Sequence, residues 1–268
     1  MGIYPNVVTR KDVDEALRGH NGVERFREAL GRMNGYNAVV GLIARFVQFS
    51  LPFSAGATLL STAIAARTDL FRDPEEPHVP LADRSYTVAR YVFEALVDDF
   101  GDHRELAQGF LAGVCSHFKY TNWMRDAETY INPCTQAAAL SIYDGYGCNS
   151  DVKEVDLFRA LGFHLAAELL GDEEFRALNE CLRGRHAKLV EYLSKQVVVI
   201  RGETYYAYDW VRVHAIVEAD HADAGLEGIN AALYYYCGNL EVPFLKNCIL
   251  SGAKYFATVQ KEFMANIL

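Results

Sequence analysis

The stretch Trp210-Val-Arg-Val-His214-Ala-Ile-Val-Glu218-Ala-Asp-His221 holds two histidines and a glutamate spaced as His-x3-Glu-x2-His. At 3.6 residues per turn, positions i, i+4 and i+7 share one face of a helix. Trp210, Val211, Val217, Gly225, Ile229 and Ala232 fall on the same side, while Arg212, Asp220, Asp223 and Glu227 fall on the other. The polar face is already supplied, so the triplet lies on the inward stripe. Burying two imidazoles and a carboxylate without partners costs roughly several kcal/mol. Two kinds of partner answer that cost: a His-Glu-His hydrogen-bond network, or a redox metal that takes imidazole and carboxylate together.

Helical periodicity continues outward from this stretch. It predicts helices at 10–18, 22–33, 36–50, 54–68, 84–100, 103–118, 134–146, 153–170, 172–194, 209–236 and 241–267. Asp83 and Asp102 are placed as caps, and Gly101 as a stop between two helices. Val197–Ile200 and Tyr205–Tyr208 flank Arg-Gly-Glu-Thr and read as a short hairpin or an extended lead-in. The apolar segment Ala38–Ala66 is interrupted by Arg45, Gln48 and Pro52, which reads as two buried helices meeting near Pro52 rather than a membrane span. No internal repeat or long linker divides the chain. The expectation is one all-α domain over 1–268.

Composition narrows the functions. The chain has 268 residues, is 51% hydrophobic and carries a net charge of -9. With no Lys/Arg-rich block, nucleic acid and anionic membrane surfaces are disfavoured as partners. The six cysteines form no Cys-x2-Cys pair, which excludes a Cys-based zinc site and any disulfide framework. The N-terminus lacks the basic and apolar regions of a secretory signal, so a cytoplasmic location is expected.

Other helices offer further ligands on inward stripes. Asp99 is in phase with Val88, Val92, Ala95 and Leu96; Glu94 is in phase with Arg90 and faces solvent, and Asp98 is intermediate. His103 is in phase with Leu106, Ala107, Phe110 and Val114. Glu168 shares a stripe with Leu157, Leu161 and Leu165, as does His164, which reads as a core histidine satisfied by a tyrosine hydroxyl. Glu24, Glu28, Glu173, Glu174 and Glu180 read as solvated helix faces. Gly225 and Gly228 leave either room for a substrate or close helix packing.

Taken in order, Leu96-Val-Asp-Asp99-Phe-Gly101 with His103, Leu161-Gly-Phe-His-Leu-Ala-Ala-Glu168 and His214-x3-Glu218-x2-His221 resemble the haem-oxygenase-like di-iron oxidases and oxygenases, the CADD-like superfamily. The resemblance spans about residues 84–235. Two positions depart from the family pattern: Asp99 stands where the family has Glu, and Glu218 where it has Asp. The resemblance implies a haem-oxygenase-like helical bundle, here with extra N-terminal helices. It also implies two Fe(II)/Fe(III) ions with O2 as co-substrate, held by Asp99, His103, Glu168, His214, Glu218 and His221. The division we favour gives Asp99, His103 and His214 to one iron and Glu168, Glu218 and His221 to the other. The implied function is C–H oxidation of a small molecule, an aliphatic amino acid being the leading class, as in amino-acid oxidation during polyoxin assembly. An external electron donor and a homodimer are compatible with this reading. Arg45 and Arg90 are the expected anchors for a substrate carboxylate. Competing readings are a metal-free thiaminase-II-like hydrolase with a Cys nucleophile, a non-catalytic helical interaction protein, and true haem binding.

Overall fold

The computed structural model describes residues 4–97, 103–147 and 153–268, without the side chains of residues 94–97 and 217–219. The described chain forms α1 (Arg10–Ala16), α2 (Gly22–Arg32), α3 (Tyr36–Ser50), α4 (Pro52–Ala65), α5 (Ser85–Val97), α6 (His103–His117), α7 (Trp123–Glu128), α8 (Pro133–Gly145), α9 (Glu154–Arg185), α10 (Ala187–Leu193), α11 (Asp209–Tyr235) and α12 (Val242–Ala265). One hairpin, β1 (Val197–Ile200) with β2 (Glu203–Tyr206), is the sheet among the described residues. The fold is all-α.

The long helix α9 is the axis. It packs against α12 and α11, and its buried side chains extend around much of its circumference, from Leu157 and Phe158 to Phe163, Leu165 and Leu178. The approach to α12 depends on two glycines. A methyl group at Gly162 would lie 1.8 Å from the Ile249 carbonyl oxygen, and one at Gly252 would lie 1.9 Å from that of Arg159. Backbones this close leave no room for a side chain on either helix.

Three elements differ from the sequence reading. The helices expected at 153–170 and 172–194 are divided elsewhere: α9 runs on through Gly171 to Arg185, and α10 begins at Ala187. Burial of α9 along its length against α11 and α12 overrides the local stop signal of the glycine. The short helix α7 was not expected; Asn122 caps it by accepting from the Arg125 N–H. The hairpin is tighter than the four-residue loop suggests. Arg201 and Gly202, with φ of 49° and 88°, form a two-residue turn between Ile200 and Glu203.

The apolar run does meet near Pro52, which sits in the first turn of α4. Leu51 keeps helical angles, so Tyr36–Ala65 is nearly one rod, long and apolar enough by composition to cross a membrane. Yet 56% of its apolar window is buried inside the fold. Arg45 within it donates from Nε to the Tyr130 carbonyl and from Nη1 to the Ile267 carbonyl, each at 2.8 Å. The rod is a core element of the bundle.

Candidate metal centre

Three helices bring four of the six candidate ligands together. His103 opens α6, Glu168 lies midway along α9, and His214 and His221 sit two turns apart on α11. All three histidines are buried. Their neighbours on the stripes are those expected from phase: Leu106, Ala107, Phe110 and Val114 are buried below His103, and Trp210, Val211 and Ile229 are buried beside the α11 pair. Arg212, Asp220 and Asp223 are exposed.

Two pairs result. The rings of His103 and His214 lie with centroids 4.2 Å apart. His214 is clamped on its other side by Phe175, stacked at 4.2 Å, and its Nδ1 meets the Trp210 carbonyl at 2.6 Å. With its proton on Nδ1 donated to that carbonyl, its Nε2 keeps a lone pair, the arrangement that orients a metal-binding imidazole. Burial, with His103 close by, drives the His214 imidazole well below its ordinary pKa and keeps it neutral. In the second pair, Glu168 Oε2 is 3.6 Å from His221 Nδ1, while its Oε1 is 3.3 Å from His164 Nδ1. His164 is in turn 3.1 Å from the Tyr146 hydroxyl, which makes it the core histidine the sequence predicts.

Asp99 lies outside the described residues, as does the side chain of Glu218. The same holds for Asp98 and the side chain of Glu94. Among the described residues, no group of three His, Cys, Asp or Glu side chains is close enough to hold a metal ion. Among the described members, His103 lies beside His214 and Glu168 beside His221. Each pair's remaining carboxylate is one of the two that are not described. Buried imidazoles beside a largely buried carboxylate are a donor set that fits ferrous and ferric iron.

A cavity of about 650 Å³, counted with its opening, adjoins this cluster. His103, Glu168 and His214 line it, with Phe53, Trp210 and Phe256 forming apolar wall. Gly171, in the middle of α9, also lines it. Gly225 and Gly228 do not line it. A methyl group at Gly228 would meet Tyr91 Cβ at 2.6 Å, so that glycine serves close packing.

The structure corrects several expectations around the site. Glu174 is not on a solvated face. It is 4% exposed, lines the cavity, and accepts from Gln260 Nε2 at 2.5 Å. Burial pushes its carboxyl up to about 8, and Gln260 offsets this only in part. The signal was present in the sequence, since Leu170 and Leu178 lie four residues to either side of Glu174, but the acidic run Asp172-Glu-Glu174 masked it. Arg45 is committed to backbone carbonyls, and Arg90 is exposed away from the cavity. Arg104, passed over in the sequence, is the arginine that lines the cavity.

Comparison with family models, with curated proteins and with solved structures finds no match to this chain.

Proposed function

We propose that this chain is a non-haem di-iron oxidase or oxygenase with a haem-oxygenase-like bundle, acting on a small molecule with O2. The observation that carries the reading is the convergence of His103, Glu168 and His214 from three separate helices on one cavity, with His221 buried beside Glu168. Together with Asp99 and Glu218 they would hold two iron ions. When bound, iron would supply the one-electron chemistry with O2 that protein side chains lack. The chain's own residues do the rest. Trp210 and Phe175 fix the His214 ring, and the aromatic wall excludes water from the reacting centre.

The cavity favours a mostly apolar substrate with one anionic group. Arg104, exposed at the start of α6, supplies the cation, and the wall of Phe53, Phe175 and Phe256 receives a hydrocarbon chain. An aliphatic amino acid remains the leading class: it offers the carboxylate and the chain, and its ammonium would face Glu168. A cysteine nucleophile finds no support in the geometry. No described cysteine lines the cavity, and burial pushes the Cys115 thiol up to about 11, away from the reactive thiolate.

Anaerobic ferrous titration of the full chain tests the proposal. Uptake approaching two irons per chain is expected, followed by O2 consumption only in the loaded protein. His214→Ala should abolish one of the two binding events while leaving the helical signal intact. Saturation well below one iron per chain in the wild type would refute the reading. Arg104→Ala should raise KM for a carboxylate substrate about tenfold, the equivalent of about 1.4 kcal/mol, without altering iron uptake.

A further inference from the structure

Glu174 and Gln260 form a polar seam through an apolar core. Glu174 comes from α9 and Gln260 from α12, where Val259, Phe263 and Met264 around it are buried. Gln260 is itself 1% exposed. A fully buried carboxyl normally needs an ionic partner or a metal, and this one has a neutral amide. The two ends of the seam lie in different cavities. Glu174 lines the cavity beside the candidate iron ligands. Gln260 lines a second one, of about 630 Å³ with its opening, between α1, α2, α9 and α12.

That second cavity is built to receive a polar occupant. Gln260 Oε1 and His20 Nδ1 are both buried without a hydrogen-bond partner, and both residues line it. Gly22 makes this arrangement possible. A methyl group there would lie 2.1 Å from Gln260 Oε1, so any side chain would displace the amide. Arg10, Asp14, Glu24 and Glu173 rim the same cavity and keep it wet at its mouth. Water entering this cavity would give each orphaned atom a partner.

We propose that Glu174, positioned by Gln260, carries protons from the water-filled His20 cavity into the cavity that holds His103, Glu168 and His214. The destination of the proton rests on the di-iron reading; the conduit itself does not. Complete reduction of one O2 to two waters takes four electrons and four protons. Removal of two hydrogens from a substrate supplies two of each. An external one-electron donor, of flavin or iron–sulfur type, supplies the other two electrons, and solvent supplies the other two protons. Each solvent proton leaves the Glu174 carboxyl, a residue that lines the site cavity. The carboxylate regains a proton across its hydrogen bond from Gln260 Nε2 as Gln260 Oε1 takes one from water in the His20 cavity, and a half-turn of the imidic acid so formed readies the amide for the next proton. Burial supports the role, because the carboxyl pushed up to about 8 is protonated at neutral pH and can give a proton up. Glu173 beside it adds to the upward push, and Gln260 opposes it.

Infrared spectroscopy of the metal-free full chain tests the conduit independently of iron. At neutral pH the wild type should show a protonated-carboxyl stretch that is lost in Glu174→Gln. On transfer into D2O that band should shift at a rate followed by time-resolved infrared. In Gln260→Leu the band should remain but exchange about tenfold more slowly, the scale set by losing one hydrogen-bonded contact. Gly22→Ala, which pushes the amide aside and leaves both polar residues in place, should slow it as well and covers the case in which Gln260→Leu fails to fold. Absence of the band in the wild type, or exchange as fast in both variants as in the wild type, would overturn the proposal. In loaded protein, Glu174→Gln should lower kcat with little change in KM and enlarge the solvent isotope effect. A normal infrared result with no iron uptake would keep the conduit and sink only the di-iron reading.

Discussion

Glu174 keeps its proton in the folded chain up to about pH 8, whereas an ordinary glutamate loses it near 4.5. Between those values the folded state binds more protons than the unfolded state, so stability falls as pH rises through the window. The penalty reaches the order of a few kcal/mol at the alkaline end. Glu174→Gln removes this titration and keeps the shape. The variant should therefore gain stability relative to the wild type as pH rises from about 5 to about 8.5, read as a growing difference in urea midpoint. A difference that stays flat would mean that the carboxyl is already ionised in the fold. His214 makes a different demand: its neutral ring is held by a carbonyl on one side and a phenyl ring on the other. Phe175→Leu should leave the fold intact and weaken iron uptake by about tenfold, because the supporting contact and not the ligand is lost.

At the scale of elements, α9 and α12 approach through Gly162 and Gly252, each facing a carbonyl of the other helix. Gly162→Ala or Gly252→Ala should cost about 3 kcal/mol or more, visible as a lowered urea midpoint, since backbone cannot move aside as a side-chain tip can. Gly225→Ala serves as the control, its nearest contact being Leu165 Cδ1 at an ordinary 3.5 Å, and should change stability little. This scale also marks where sequence reading succeeds and fails. Period and breakers locate α3, α6 and α11 within a residue or two: α6 buries one broad stripe, and α3, buried nearly all round from Val39 to Ala44, is bounded by Gly35 and Pro52. They mislocate the end of α9 because a helix covered by neighbours on more than one side has no single stripe to read. The same coverage hides Glu174: one acid in an acidic run looks solvated until α12 is laid against it. The sequence singles out Glu168 because Leu165 and Leu161 precede it by three and seven residues, although the α9 surface around it is buried on several sides. His20 and Gln260 were not, because their significance lies in which cavity they share, and no local pattern encodes that.

For the whole molecule, the proposed ligands come from α6, α9 and α11, so that iron bound by them would make metal binding and bundle stability one equilibrium. Ferrous ion at about a hundred times its dissociation constant should stabilise the folded chain by about 2.7 kcal/mol. For a domain of this size that raises Tm by about 5–10 °C. Calorimetry with and without anaerobic ferrous iron checks this, and His214→Ala should remove most of the shift. Arg45 ties distant parts together in another way, holding carbonyls of residues 130 and 267 from its place in α3. The acceptor at Ile267 is 222 positions further along the chain. At about 5–20 residues per second, a ribosome needs roughly 10–45 s to make that stretch. During that time the apolar rod α3–α4 is already out of the exit tunnel, while the helix and carbonyl that will cover it do not yet exist. Soluble yield in cells should therefore depend on chaperone supply and growth temperature more steeply than the finished protein's own stability would suggest.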